Sequence, residues 1–248
     1  MKRTLKALGL ALAAAATLCA CSSCYWKGCD GIDERGLKTQ GYFHFYEYED
    51  HVKIRNFSAA GKELEICYVP AQLNGKDVTA VGYQIWISAD CRLQSETLKY
   101  LNLPYCVREI TDFCEVPLLE TLVFSSTSPV FFPGNFPTDF LSVERVKIYV
   151  PRGCTAAYQS RNDGFDFCEA NITYRFNYDS APNDGIYLAD FREAGSALFE
   201  PSEPVRAGFL FGGWYTDSDC TSAWDFNRAM PESGEAGFSL FARWEPLG

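Results

Sequence analysis

The sequence predicts a mainly β protein with short helices, in which a repeat solenoid is followed by a small separate β unit. Three observations carry this. A hydrophobic phrase recurs through residues 67–151 at intervals of roughly two dozen residues, the spacing at which stacked repeats are suspected. The phrase reads Cys67, Tyr68, Val69, Pro70, then Leu101, Asn102, Leu103, Pro104, then Leu122, Val123, Phe124, Ser125, then Ile148, Tyr149, Val150, Pro151. After Tyr158 the phrase stops and an aromatic-rich pattern replaces it.

Within each copy the first and third residues share one face of a strand, because side chains alternate with a period of two. Stacking these faces gives one core. From third position to third position the offsets are 34 (Val69 to Leu103), 21 (Leu103 to Phe124) and 26 (Phe124 to Val150). A second phrase repeats between them: Val78, Thr79, Ala80, Val81, Gly82 and Val107, Arg108, Glu109, Ile110, Thr111. Proline lacks an amide donor and fixes φ, so each closing Pro marks a corner of the coil. The segment 125–140 is Pro-rich and poorly patterned.

Asn74, Gly75, Lys76, Asp77, Val78, Thr79, Ala80, Val81, Gly82, followed by Trp86 and by the phrase ending at Pro104, resembles the BspA-type leucine-rich repeat of bacterial surface proteins. Ile148, Tyr149, Val150, Pro151, Arg152, Gly153 and the run to Tyr158 look like that family's closing repeat. The resemblance covers about residues 43–160. It implies a leucine-rich repeat solenoid and adhesion to host matrix proteins, other bacterial surface proteins or glycans.

Residues 1–20 have a basic start and an apolar, alanine-rich run from Ala7 to Ala20, a secretory signal pattern too short for a confident membrane span. Leu18, Cys19, Ala20, Cys21 resembles a lipobox, in which Cys21 becomes the lipidated first residue. Acyl chains contribute about 0.8 kcal/mol per buried methylene, so a multiply acylated cysteine is a stable anchor. The alternative is an ordinary signal peptide with a cysteine nearby. The expected location is the cell envelope, lipid-anchored in the outer membrane and surface-exposed.

Residues 21–40 read as a tether. Cys24 and Cys29 could form a local disulfide or stay free. From residue 41, Tyr42, Phe43, Phe45, Tyr46 and Tyr48 crowd together. They read as strands capping the first coil, since terminal repeats must cover the exposed end of the core, with a sugar-binding platform as the rival. The repeat domain is assigned to residues 41–163 and a junction to 164–171.

The second unit occupies residues 172–248. Tyr174, Phe176 and Tyr178 alternate on a strand, and Ala181, Pro182, Asn183, Asp184, Gly185 form a turn. Pro201, Pro204, Gly208, Phe209, Gly213, Trp214, Tyr215 and the terminal Ala242, Arg243, Trp244 then follow in order. This set resembles the Listeria-Bacteroides repeat, or internalin B-repeat, which implies a small β-grasp-like module. About 75 residues with few aliphatics need large aromatics for buried area, making Trp214, Phe226 and Trp244 expected core residues.

Composition excludes some functions. The chain carries 22 basic and 32 acidic residues, a formal charge of -10. Loss of residues 1–20 removes Lys2, Arg3 and Lys6 and no acid, leaving 19 against 32, or -13. Nucleic acid is not an expected partner, because binding it requires Lys and Arg to neutralise phosphates. With Cys21 lipidated, the mature chain keeps nine other cysteines, an odd number. No spacing among Cys67, Cys91, Cys106, Cys114, Cys154, Cys168 and Cys220 matches a zinc site. Asp217, Asp219 and Asp225 lack a calcium loop and read as a solvated turn.

Only His44 and His51 are present, and no nucleophile motif or phosphate loop accompanies them. Glu47 and Glu49 could mimic a glycosidase pair but read as solvated. The chain is therefore read as a binding protein rather than an enzyme, with no cofactor and no metal. Tyr100, Asn102 and Thr121, at outward strand positions, are the candidate binding residues. The alternative function is a periplasm-facing envelope scaffold or an accessory subunit of an envelope enzyme.

Overall fold

The computed structural model describes residues 36–82, 93–110, 116–130, 132, 145–231 and 237–248. The signal segment, Cys21, Cys24, Cys29, Trp86, Cys91 and Cys114 lie outside the described residues. The protein is mainly β, with one α-helix among the described residues.

Three strands open the fold: β1 (Leu37–Gln40), β2 (Phe43–Glu47) and β3 (His51–Phe57), paired antiparallel in succession. The predicted tether therefore ends early, since its last four residues already pair with β2. Alternation explains why β2 forms. Phe43 and Phe45 point into the core together with Val52, Ile54 and Phe57.

Next come β4 (Ile66–Tyr68), β5 (Gln72–Leu73), β6 (Lys76–Val81), β7 (Tyr100–Leu103), β8 (Glu109–Ile110), β9 (Thr121–Phe124), β10 (Lys147–Val150) and β11 (Phe167–Glu169). The four copies of the first phrase become β4, β7, β9 and β10, which lie side by side and parallel. Their register aligns Ile66, Tyr100, Thr121 and Lys147 in one row and Cys67, Leu101, Leu122 and Ile148 in the next. The first and third phrase positions are buried in every copy, forming one continuous core. The second phrase builds the opposite sheet: β6 pairs in parallel with β8 and with β3.

Helix α1 (Thr155–Arg161) follows β10. Tyr158 is fully buried in it, and its hydroxyl donates to the Ser126 carbonyl at 2.9 Å. Buried Asn162 follows, donating to the Val130 carbonyl at 3.0 Å and accepting from the Phe132 amide at 2.9 Å. The predicted junction 164–171 is corrected here. It contains β11, which pairs in parallel with β10 as a further rung, because Phe165 is buried in the ladder core and Phe167 packs against it.

The second unit contains β12 (Ile172–Arg175), β13 (Ile186–Asp190), β14 (Phe209–Tyr215) and β15 (Phe238–Pro246), in sheet order β13-β12-β15-β14. Strands β12 and β15 are parallel; the other two pairings are antiparallel. A bulge between Phe211 and Trp214 coincides with Gly213 at φ 102°, a backbone region that side chains resist. Tyr174, Phe176, Tyr187 and Trp214 fill the core, with Phe226 and Trp244 packed partly buried against it. No helix among the described residues is long and apolar enough to cross a membrane.

Candidate functional site

The outward face of the ladder is where the two units meet. In register, the phrases present Ile66, Tyr100, Thr121 and Lys147 in one outward row and Tyr68, Asn102, Val123 and Tyr149 in the next. Strand β13 lies across these rows. Tyr100, Val123, Tyr149, Ala170 and Ala189 form a small apolar cluster at the seam.

Polar groups lock this seam. Asp190, at the end of β13, is wholly buried. Its carboxylate accepts from the Tyr68 hydroxyl at 2.7 Å, from the Tyr100 hydroxyl and from the Phe191 amide at 2.9 Å. Arg192 Nε lies 3.5 Å from Oδ2, and the same guanidinium donates to the Tyr68 hydroxyl. Burial pushes the Asp190 carboxyl above its ordinary range, opposed by Arg192 and by the two tyrosine hydroxyls, which favour the ionised form. Burial also raises both tyrosine hydroxyls, with the Asp190 charge adding to the effect.

Further hydrogen bonds extend the seam. Asn102 Nδ2 donates to the Ala189 carbonyl at 2.9 Å, and Ser125 Oγ accepts from the Ala189 amide at 2.9 Å. Asn183, held at φ 56° in the turn before β13, accepts from the Thr127 amide at 2.7 Å and donates to the Ser125 carbonyl at 2.7 Å. Arg192 Nε is the one seam atom left without a hydrogen bond among the described residues, and a buried polar network otherwise this well partnered favours one arrangement. The second unit is thus fixed on the ladder.

This placement corrects two of the three candidate residues. Tyr100 and Asn102 point outward as the alternation requires, but they are only 8% and 0% exposed, because β13 and its flanks cover them. They belong to the lock and are closed to an external partner. Thr121, in the same row, remains partly exposed and lines an open groove.

That groove, of about 480 Å³, runs along the seam and is lined by the ladder's Leu118, Glu120, Thr121, Arg145, Lys147 and Tyr149 and by Phe191 and Glu193 of the second unit. Tyr149 and Phe191 stack at 4.1 Å and 11° at its base. Burial pushes the Tyr149 hydroxyl up to about 12, with Cys168 and Glu193 adding to it. Arg145, Lys147, Glu120 and Glu193 form no ion pair among the described residues. Sequence reading missed Lys147 and Tyr149, although the rule that selected Tyr100 and Asn102 applies to their positions in the closing phrase. Phe191 and Glu193 carried no comparable signal.

Other candidates resolve structurally. Glu47 accepts from Lys38 Nζ at 2.6 Å and Asn74 Nδ2 at 2.7 Å, with Lys76 Nζ 3.0 Å away; led by Lys38, these hold its carboxyl down at about 2. His44 meets the Thr39 hydroxyl at 2.7 Å, and His51 meets Asp50 at 2.7 Å while stacking on Tyr48. Asp217 accepts from the Thr221 and Ser222 amides, a turn-closing role. Among the described residues no group of His, Cys, Asp and Glu could hold a metal ion. Cys67 and Cys106 are buried free thiols packed in the ladder core.

The second unit's strand order and aromatic core stand beside one sequence comparison. Residues 174–236 match the family model of the Listeria-Bacteroides repeat domain. Over 78 residues, 31% of this chain, it is 36% identical to a protein of Evansella cellulosilytica named as a Gly-rich membrane protein. A second protein of that bacterium, named as a membrane protein, is 35% identical over 78 residues. The chain spans only 8% and 11% of the lengths of these two relatives.

Proposed function

We propose that this protein is a cell-surface lipoprotein that acts by recognition, as a binding or adhesion module for protein or glycan partners. In this reading Cys21 carries the lipid anchor in the outer membrane. The ladder is a leucine-rich repeat solenoid of the BspA type, and the second unit is a β-grasp-like Listeria-Bacteroides repeat fixed upon it. The groove between them is the contact site. It works by binding, not by catalysis, and uses no cofactor.

One observation carries the reading. The seam joins the two units through a buried polar lock and leaves beside it an open groove bearing four charged side chains without ion-pair partners among the described residues. Stacked repeats offer extended faces for such contacts. The match of residues 174–236 supports the second unit's identity, and the membrane-protein names of the two relatives are compatible with an envelope location.

The test is digestion of intact cells with an impermeant protease, following this protein beside a periplasmic control. Loss of the protein while the control survives is the expected result. Protection until lysis overturns surface adhesion and favours the periplasm-facing scaffold or accessory subunit. Transfer of a Cys21→Ala variant from the membrane to the soluble fraction is expected in the same cells.

A further inference from the structure

Resting on that reading of the groove, we infer that it takes an extended polypeptide segment of a partner protein, carrying acidic residues at alternate positions with a basic residue beside them, rather than a glycan. Two cations of the lining suggest the spacing. Arg145, in the turn before β10, and Lys147, the first residue of β10, are both exposed and line the groove, while Val146 between them is buried. An extended peptide likewise places alternate side chains on one face. Two acids at such positions would meet Arg145 and Lys147. Glu120 and Glu193 then flank the pair for a basic residue, and Leu118, 46% exposed, offers an apolar contact at the rim.

Electrostatics and ring geometry separate this occupant from a sugar. A neutral glycan would desolvate four charged groups and return no opposite charge, which is costly. A polyanionic glycan would approach a chain of net charge -10 and the carboxylates of Glu120 and Glu193. The sugar-stacking surface is also reduced. Tyr149 is 5% exposed and Phe191 covers one face of its ring at 4.1 Å, so only the outer face of Phe191 is left as a platform. Complementary charges on a peptide meet the groove's pattern directly and set specificity and association rate.

The probe is a displayed library of random linear peptides, panned on the purified full chain and checked by fluorescence anisotropy. Enriched peptides are expected to carry alternate acids next to a base. Lys147→Glu should weaken them about tenfold or more, and a peptide with the facing acid changed to Lys should recover binding to that variant. Glu193→Lys should weaken the same peptides independently. Raising the salt from about 0.15 M to about 1 M shortens the Debye length from about 8 Å to about 3 Å and should weaken binding further.

Lys147 is exposed, so unchanged melting of Lys147→Glu is expected and isolates the groove effect. Three results overturn the inference: no enrichment; enriched peptides that bind Lys147→Glu and Glu193→Lys as they bind the parent; or salt-insensitive, Lys147-dependent binding of maltohexaose or chitohexaose, which assigns the groove to glycans. Surface exposure is read separately by the protease test. Groove binding with a protease-protected protein removes the surface role alone, and an exposed protein without groove binding removes the peptide assignment alone.

Discussion

Asp190→Ala tests whether the second unit is locked to the ladder or merely adjacent to it. The substitution deletes the acceptor shared by the Tyr68 and Tyr100 hydroxyls and the charge beside Arg192. Removing one partner of a buried ion pair costs about 3–5 kcal/mol, because the remaining charge is left uncompensated. Here the low end applies. The Arg192 side chain is 17% exposed and water can reach it, while Asp190 is fully enclosed.

At about 3 kcal/mol, and about 2–4 °C per kcal/mol for a chain of this size, the melting temperature should fall by about 6–12 °C. Tyr68→Phe, which removes one hydrogen bond, should cost about 1 kcal/mol. Because both changes act on one network, the double variant should lose less than the sum. Calorimetry should also show the single transition of the parent broadening or splitting, as the second unit melts without its seam. A shift within about 0.5 kcal/mol for Asp190→Ala, the usual size for a surface change, would refute the lock.

Leu103→Ala removes a fully buried side chain from the inward row and should cost about 2–5 kcal/mol, read from the urea midpoint. Glu47 has its carboxyl held at about 2 by Lys38, Asn74 and Lys76, below the 4.5 of a free glutamate. A lowered folded pKa gives stability that is present above the unfolded value and lost as pH falls. Glu47→Gln should therefore be less stable than the parent near neutral pH, and the urea midpoints of the two should converge between 4.5 and about 2. Burial pushes the Cys67 and Cys106 thiols up to about 12, whereas Cys168 is exposed. Iodoacetamide on the native protein should label Cys168 and spare Cys67 and Cys106 until urea is added.

The inward half of the ladder was legible because it depends on local pattern. Period-two alternation identifies Leu101 with Leu103 and Leu122 with Phe124 as core pairs, and the second phrase identifies β6 and β8, which need no knowledge of distant residues. Strand β11 was not legible: Phe167 to Glu169 lacks the repeat phrase, and it becomes a rung only because β10 offers it an edge. The lock was out of reach for a related reason. Tyr68 and Asp190 are 122 positions apart, and an acid closing the apolar run of Ile186 to Ala189 reads from sequence as the end of a strand at the surface.

One signal did anticipate the covered face. In Leu122, Val123, Phe124 the residues of both faces are apolar, and a strand apolar on both faces is buried on both. The same holds for Ile148, Tyr149, Val150, where Tyr149 faces outward yet is 5% exposed. Applied along the register, this criterion places a lid over Val123 and Tyr149 and leaves the row of Thr121 and Lys147 at its margin. Tyr100 shares that row but reaches Asp190, so substitutions at Tyr100 act on stability while those at Thr121 and Lys147 act on the groove.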